Sequence, residues 1–597
     1  MEEDVQEVTL LIEGQLFTID KSLLCEHSEY FRAMFSGNYK ENQLREIAIE
    51  VVDANSMQLI IDWMRHSYID LSDPSCLSDL ASSANYLQIN ELIKQIETTL
   101  DYQLSDSTWM STLIVAEAAS YIQLEYRSAM HGLLSFKKMK PIYVPALDRL
   151  HWYLSHPWLD TEDEISVFRF GCEWIKTTNS PPESFLIILG CLDMSNLSNV
   201  DFEEMLSLMQ NYKECLAYRI IQFLLEVSIS LSDIIVEAIR LHRDELCEKH
   251  SQEVYDEVIE IVRGSHRRGM PVVPCVPMIN KIDWKCSDEE ASEKLCPPNT
   301  PQYIYKFIEN VGFEQWLEVT DKSLWGWSVC AWGRTKVCVV GGEYGRGSGH
   351  FMKEIAIWDV IRQEWIRHSV NLPPRRHAGL ACVNDELYIV GGVGTFRVIL
   401  SSAIVYNLAE KSFRKIANIP DNMQNPAICG YRGKIYVASH KNIYRYNGEG
   451  ENDKWELVLN TELRAHSLVG HRNYIYVSQN YFNQLYRFKP DKDAALESVT
   501  SFNNPVSAVC SNGRQIIAFT HTNPATESIA VETFEDEKKS LIWTEEKCAL
   551  KIYDGAGGEN WIYCYDPENE RQSDQWVFSF ELLTKVKRGE ASEKRKR

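Results

Sequence analysis

Four arginines sit in glycine- and proline-rich strings, where side chains are usually displayed rather than packed. The strings are Glu343-Tyr344-Gly345-Arg346-Gly347-Ser348-Gly349-His350, Pro373-Pro374-Arg375-Arg376-His377 and Val393-Gly394-Thr395-Phe396-Arg397. A guanidinium takes a carboxylate in a bidentate fork, so Arg346, Arg375, Arg376 and Arg397, with Tyr344 beside them, are candidates to hold an acidic protein segment. The alternative is four separately solvated or locally paired arginines. His440, His466 and His471 offer imidazole nitrogens, but no cysteine or histidine cluster has metal-ligand spacing. No Gly-x-Ser-x-Gly elbow and no Gly-x-x-x-x-Gly-Lys-Ser/Thr phosphate loop occurs. Gly345-Arg346-Gly347-Ser348-Gly349 lacks the βαβ surroundings that a phosphate cradle needs. Neither catalysis nor a cofactor is expected.

The elements that must position these residues fall into three zones. Up to about residue 100 the pattern is mixed α/β. Val8-Thr9-Leu10-Leu11-Ile12 and Gln15-Leu16-Phe17-Thr18-Ile19 flank Glu13-Gly14 as strand, turn and strand. Leu77, Leu80, Ala81, Ala84 and Leu87 form a helical stripe, as do Ile60, Trp63 and Met64. From 101 to 262 the chain reads as stacked amphipathic helices, with Ile165, Phe168, Cys172 and Ile175 on one face and breaks at Ser155-His156-Pro157-Trp158 and Asn179-Ser180-Pro181-Pro182. Residues 263–300, rich in proline, read as a linker.

Beyond 300 short strands repeat. Lys336-Val337-Cys338-Val339-Val340-Gly341-Gly342 returns as Glu386-Leu387-Tyr388-Ile389-Val390-Gly391-Gly392, and fainter copies follow at 434–437, 474–477 and 515–518. That period is the mark of a β-propeller. The glycine doublets let neighbouring blades approach near the axis, and the aromatics Trp365, Phe413 and Trp455 are expected to fill the space between blades. Six blades over 301–584 is the expectation, with seven the alternative. Tyr303-Ile304-Tyr305 and 315–319 supply outer strands that close the ring. Ala438-Ser439, Ser478-Gln479 and Phe519-Thr520 replace the doublet in later repeats, which predicts looser or irregular central blades.

Composition narrows the partners. Of 597 residues, 45% are hydrophobic and 24% charged, and the formal net charge is −24. Such a chain repels a phosphate backbone, so no nucleic acid is expected. Met1-Glu2-Glu3-Asp4 is acidic where an export signal needs positive charge, and no apolar run reaches the length of a bilayer span, so the expectation is a cytoplasmic protein with no membrane partner. The scattered cysteines read as small buried hydrophobes in a reducing compartment. The basic tail 585–597 is either a nuclear-import signal or a solvated end.

Several strings carry a resemblance to a known family. Val8-Thr9-Leu10, Phe17, Ser28-Glu29-Tyr30-Phe31-Arg32-Ala33-Met34-Phe35-Ser36-Gly37 and Ala84-Asn85-Tyr86-Leu87-Gln88 resemble a BTB domain. Leu154-Ser155-His156-Pro157-Trp158-Leu159 and Glu164-Ile165-Ser166-Val167-Phe168 before Trp174 resemble a BACK domain, and the glycine-doublet repeats resemble Kelch repeats. The chain thus resembles the BTB–BACK–Kelch family along nearly its whole length. The resemblance implies a multidomain fold: an α/β BTB domain (1–100), an all-α BACK domain (101–262) and an all-β Kelch propeller.

The function it implies is that of an adaptor, without catalysis of its own, that presents a protein substrate to a cullin-3 ubiquitin ligase. Tyr39-Lys40-Glu41, after Met34, fits the family's hydrophobe-x-Glu cullin motif, with Leu113, Ala116, Tyr121 and Ile122 extending the groove. The plainer reading has Tyr39 and Glu41 capping and solvating a helix–loop junction. A homodimer through the BTB domain is also implied. Two departures bear on it: seven residues precede Val8, and the usual Ala-His-Lys reads Ile19-Asp20-Lys21. The alternative function is a non-catalytic scaffold of cytoskeletal or transcriptional assemblies. A copper oxidase resembling galactose oxidase, which would draw on the histidines, is the remote third.

Overall fold

In a computed structural model, the structure describes residues 7–36, 44–69, 77–161, 163–227, 272–280, 301–345, 347–448, 453–479, 481–511, 515–523, 526–535, 537–552, 557–558 and 562–565, with the single positions 40, 252, 255, 256, 258, 261 and 267. The described chain divides into two compact units, one within residues 1–270 and one within 271–573.

The first unit begins with β1 (Glu7–Ile12) and β2 (Gln15–Asp20), an antiparallel hairpin that pairs in parallel with β3 (Glu46–Ala48). Five helices pack on this sheet: α1 (Lys21–His27), α2 (Glu29–Ser36), α3 (Ala54–His66), α4 (Leu77–Tyr86) and α5 (Asn90–Tyr102). The departure at Ile19-Asp20-Lys21 has a local role, because the Asp20 carboxylate caps α1 by accepting from the Ser22 N–H at 2.8 Å. Ser28 does similar work for α2. Its buried hydroxyl accepts from the Phe31 N–H at 3.2 Å and donates to the Leu87 carbonyl at 2.6 Å, tying the start of α2 to the end of α4. The α4 stripe Leu77, Leu80, Ala81, Ala84 and Leu87 is buried throughout, each leucine adding roughly 1.5–3 kcal/mol.

The helical zone runs through α6 (Trp109–Ala119), α7 (Ile122–Leu134), α8 (Leu147–Ser155), α9 (Glu164–Thr178), α10 (Ser184–Gly190), α11 (Asn199–Leu208) and α12 (Leu216–Val227). The α9 stripe Ile165, Phe168, Cys172 and Ile175 is buried as its spacing predicts. Helix α6 belongs to two cores. Trp109, Met110 and Leu113 pack with the later helices, whereas Val115, Ala116 and Ala119 pack with α3–α5. The α/β and all-α zones therefore share a helix rather than meeting at a clean seam near residue 100.

The second unit contains, among the described residues, six sheets of four or five strands. The first joins Ser328–Trp332, Lys336–Val340, Glu354–Asp359 and Glu364–Ser369, and the second joins Gly379–Val383, Glu386–Val390, Ala403–Asn407 and Ser412–Ile416. Three more follow in chain order, their inner strands Ala427–Tyr431, Ser467–His471 and Val506–Ser511. The sixth combines Val272–Asn280, Gln302–Ile308 and Gly312–Thr320 with the C-terminal strands Leu550–Ile552 and Ile562–Tyr565. Each inner strand neighbours the next, and Ile562–Tyr565 lies between Val506–Ser511 and Ser328–Trp332, so the inner strands close into a ring. The apolar clusters lie between consecutive sheets, as in a propeller.

Three details differ from expectation or refine it. Part of the stretch read as linker is the strand Val272–Asn280, which stitches the two ends of the second unit together. The later aromatics fill the interblade space only in part. Trp365, Phe413 and Trp455 stand opposite Trp358, Tyr406 and Tyr446 across a strand pair; Trp455 packs against the cluster between the second and third sheets, whereas Phe413 is 41% exposed and the earlier Tyr406 is the buried partner. The third, fourth and fifth sheets carry register shifts, and the two doublet-bearing sheets carry none. The irregularity predicted for the central repeats is present.

Candidate functional site

Each of the first five sheets starts at its inner strand and works outward. The connections after the second strand, and those leading to the next sheet, must therefore lie at the same end of the ring. Hydrogen bonds between the two kinds of connection agree. Gly342 N–H donates to the Arg375 carbonyl at 2.9 Å, Arg376 N–H to Val393 at 2.9 Å, Gly392 N–H to Met423 at 2.8 Å and Val506 N–H to Phe482 at 2.9 Å. All three arginine-bearing strings thus share one end.

Sharing an end does not make the arginines equivalent. Arg375 is 3% exposed, and its guanidinium donates to the Ile389, Gly391 and Ser402 carbonyls at 3.3–3.4 Å. Burial lowers its pKa to about 10, which still leaves it charged at neutral pH. It closes the seam between the first and second sheets and is not displayed. Arg376 is ion-paired with Glu343, both side chains largely buried. Tyr344 is half-buried, its phenol pKa raised first by desolvation and then by Glu354, and Lys322 lies 5.9 Å from the ring. Arg346 lies outside the described residues. Arg397 alone of the four is described as exposed, in the turn Thr395–Arg397.

That turn holds what the sequence reading passed over. Phe396 is 99% exposed, and both Phe396 (φ 55°) and Arg397 (φ 60°) occupy the left-handed region that favours glycine. Its signal in the sequence was an aromatic placed between Thr395 and Arg397, with no apolar neighbour to pack on until Val398.

In the first unit, Met34 lies on α2, half-buried against the α/β core. Tyr39 and Glu41 lie outside the described residues. Of the groove residues, Leu113, Ala116 and Tyr121 are interior, and only Ile122 is displayed, at 74%.

His466 and His471 do not converge. They sit at opposite ends of one inner strand, roughly 15 Å apart at the usual rise per residue. His466 Nε2 meets the Ser507 carbonyl and His471 Nδ1 the Ser511 hydroxyl. Among the described residues no group of three or more His, Cys, Asp or Glu is placed to hold a metal ion, and no helix is long and apolar enough to cross a membrane.

Comparison with known proteins agrees with this architecture. Residues 1–104 match the model of the BTB/POZ domain, and residues 374–420, which span the second sheet and both connections at its displayed end, match the Kelch motif. The chain thus carries a BTB domain and a Kelch motif. It is similar to Kelch-like protein 25 of Mus musculus, 23% identical over 459 residues, which covers 74% of this chain and 70% of that one. It is similar also to Kelch repeat and BTB domain-containing protein 1 of Horsepox virus, 22% identical over 452 residues, covering 73% and 76%. With Kelch-like protein 26 of Danio rerio it shares 26% identity over 174 residues, spanning only 28% of either chain. With that motif on the second sheet, the other four-stranded sheets are consistent with Kelch blades.

Proposed function

We propose that this BTB–Kelch chain is the substrate-recognition adaptor of a cullin-3 ubiquitin ligase. Its BTB and helical zones grip the cullin, and its propeller holds a protein client. The observation that supports this best is the division of labour along the chain. An α/β domain that shares α6 with the helices behind it is followed by a ring whose described long connections gather at one end. On this reading Met34, Tyr39 and Glu41 supply the cullin contact, and Ile122 extends it. The client lies across the displayed end, where Arg397 presents its charge while Arg375 and Arg376 hold the loops that carry it.

The test is retention of cullin-3 on the immobilised full chain. Binding that falls at least about tenfold in the Tyr39→Ala/Glu41→Ala double variant supports the reading. Retention unchanged in that variant removes the motif, and no retention by the unaltered chain favours a scaffold.

A further inference from the structure

The displayed end of the ring is uneven. In the second sheet the connection after the second strand is the long segment 391–402, in the third it is the short turn 439–441, and in the fourth it is 479–483. The third sheet lies between the other two in the ring, so the rim is low there and flanked by raised loops. One wall carries Phe396, and the other carries Tyr481, 67% exposed, and Phe482, 58% exposed. Phe396, Arg397 and Tyr481 all have positive φ, so both walls hold large side chains outward on backbone that glycine would adopt more easily.

The floor is basic. Lys441 belongs to the short turn, and Arg464 to the connection between the third and fourth sheets. With Arg397 they are exposed, and none of the three has an ion-pair partner among the described residues. Asp421 and Glu462 are the carboxylates of the two intersheet connections beside them. In a chain whose formal net charge is −24, three unpaired cations framed by exposed aromatics mark a surface shaped for an anionic, partly apolar partner.

The geometry points to this saddle over the third sheet as the place where an extended acidic segment of a client protein docks, its carboxylates on Arg397, Lys441 and Arg464 and its apolar side chains against Phe396 and the Tyr481–Phe482 wall. The inference rests on the reading that the propeller holds a protein client, and it moves the contact away from the arginines of the first seam. The aromatics supply anchors and the cations set polarity, the usual separation of roles at an interface core.

A random peptide library displayed on phage is selected against the immobilised full chain, and the recovered peptides are synthesised and titrated by fluorescence anisotropy. Recovered sequences rich in Asp and Glu with interspersed Phe, Leu or Trp support the inference, provided two variants lose binding. Arg397→Glu with Lys441→Glu should weaken it at least about tenfold, and Phe396→Gly should do the same. Phe396→Gly also relieves a left-handed backbone strain, so its unfolding temperature should rise while its affinity falls, which separates a lost anchor from a lost fold. Recovered sequences without acidic enrichment, or bound equally by both variants, overturn the inference. So does a single-stranded oligonucleotide that displaces the peptides, since that would make the saddle a nucleic-acid surface. Cullin-3 retention is measured on the same preparations. Retained cullin without acidic-peptide binding defeats the saddle alone, and peptide binding without cullin defeats the adaptor reading alone.

Discussion

The Arg376 guanidinium is ion-paired with the Glu343 carboxylate across the seam between the first and second sheets, with side-chain exposures of 12% and 3%. Glu343 also accepts from the Gly349 N–H at 2.8 Å, so one carboxylate fixes both the intersheet connection and the loop 341–353. Removing one member of such a pair strands the other charge in a poorly hydrated place. Arg376→Ala is therefore expected to destabilise the propeller by about 3–5 kcal/mol, whereas Arg376→Met with Glu343→Leu costs less than either single change suggests. Urea unfolding followed by tryptophan fluorescence measures both, and additive losses would show that the two side chains do not act as a pair.

The glycine doublets make a second prediction. Gly392 has φ +98°, and a Cβ there would lie 2.7 Å from the Arg376 carbonyl oxygen and 3.2 Å from Ala378 Cα. Gly342 has φ +99°, with a Cβ 2.9 Å from Leu324 and 3.2 Å from Trp327 Cα. At Gly392 the obstruction is backbone, which cannot rotate away; at Gly342 it begins with a leucine side chain. Gly392→Ala is expected to cost at least about 2 kcal/mol, and Gly342→Ala less. Equal midpoints for the two variants in the same urea titration would contradict the distinction.

Much of the fold was legible because its signals are local. The stripes Leu77–Leu80–Ala81–Ala84–Leu87 and Ile165–Phe168–Cys172–Ile175 record which face is buried, and the doublets record backbone that other residues adopt poorly. The strand Val272–Asn280 was not legible. Pro274 and Pro277 remove ladder donors, and some of its partners, in Leu550–Ile552 and Ile562–Tyr565, are far away along the chain. The candidate site was half legible. Residue type located Arg375, Arg376 and Arg397, but only the fold decides that the first donates to carbonyls, the second to Glu343, and the third faces outward. Phe396 escaped because an aromatic in a loop string reads as packing until its exposure is known.

A third prediction concerns the helical zone. Gly132 lies inside α7, where glycine costs about 1 kcal/mol relative to alanine. Propensity alone makes Gly132→Ala stabilising. A Cβ there, however, would overlap the Trp109 indole, which is fully buried and sits 4.8 Å from the Tyr153 ring, itself hydrogen-bonded to the Gly132 carbonyl at 2.9 Å. Overpacking of a core commonly costs 1–3 kcal/mol, more when rings cannot shift. Steric overlap outweighs propensity, and a net loss of roughly 2 kcal/mol is expected. Trp109→Leu, which makes room, should restore part of what Gly132→Ala loses in thermal unfolding of the double variant.

The last prediction follows from a buried polar cluster between α8 and α9. Arg267 donates to Glu164 at 2.9 Å and to the His156 carbonyl at 2.8 Å, and its N–H donates to Asp193 at 2.9 Å. His156, 4% exposed, accepts the Trp158 N–H on Nδ1 at 3.1 Å. Desolvation first, and the Arg267 charge second, lower its pKa from 6.5 to about 3. The folded state thus keeps this imidazole neutral, while the unfolded chain takes up a proton below about pH 6.5. Its contribution to stability is complete above that pH and is lost as pH falls towards 3, by about 2 kcal/mol between pH 7 and pH 5. Glu164 acts in the opposite sense. Desolvation raises its pKa, so its contribution is largest in acid and is lost as pH rises through the folded value. Comparing the protein with a His156→Asn variant isolates the histidine, because the asparagine oxygen can accept the Trp158 N–H without titrating. Thermal unfolding of the full chain, with the helical region followed by hydrogen exchange, should show the natural protein losing stability relative to the variant as pH falls from 7 to 5. A difference between the two that stays constant over that range would mean that His156 does not titrate as its burial requires.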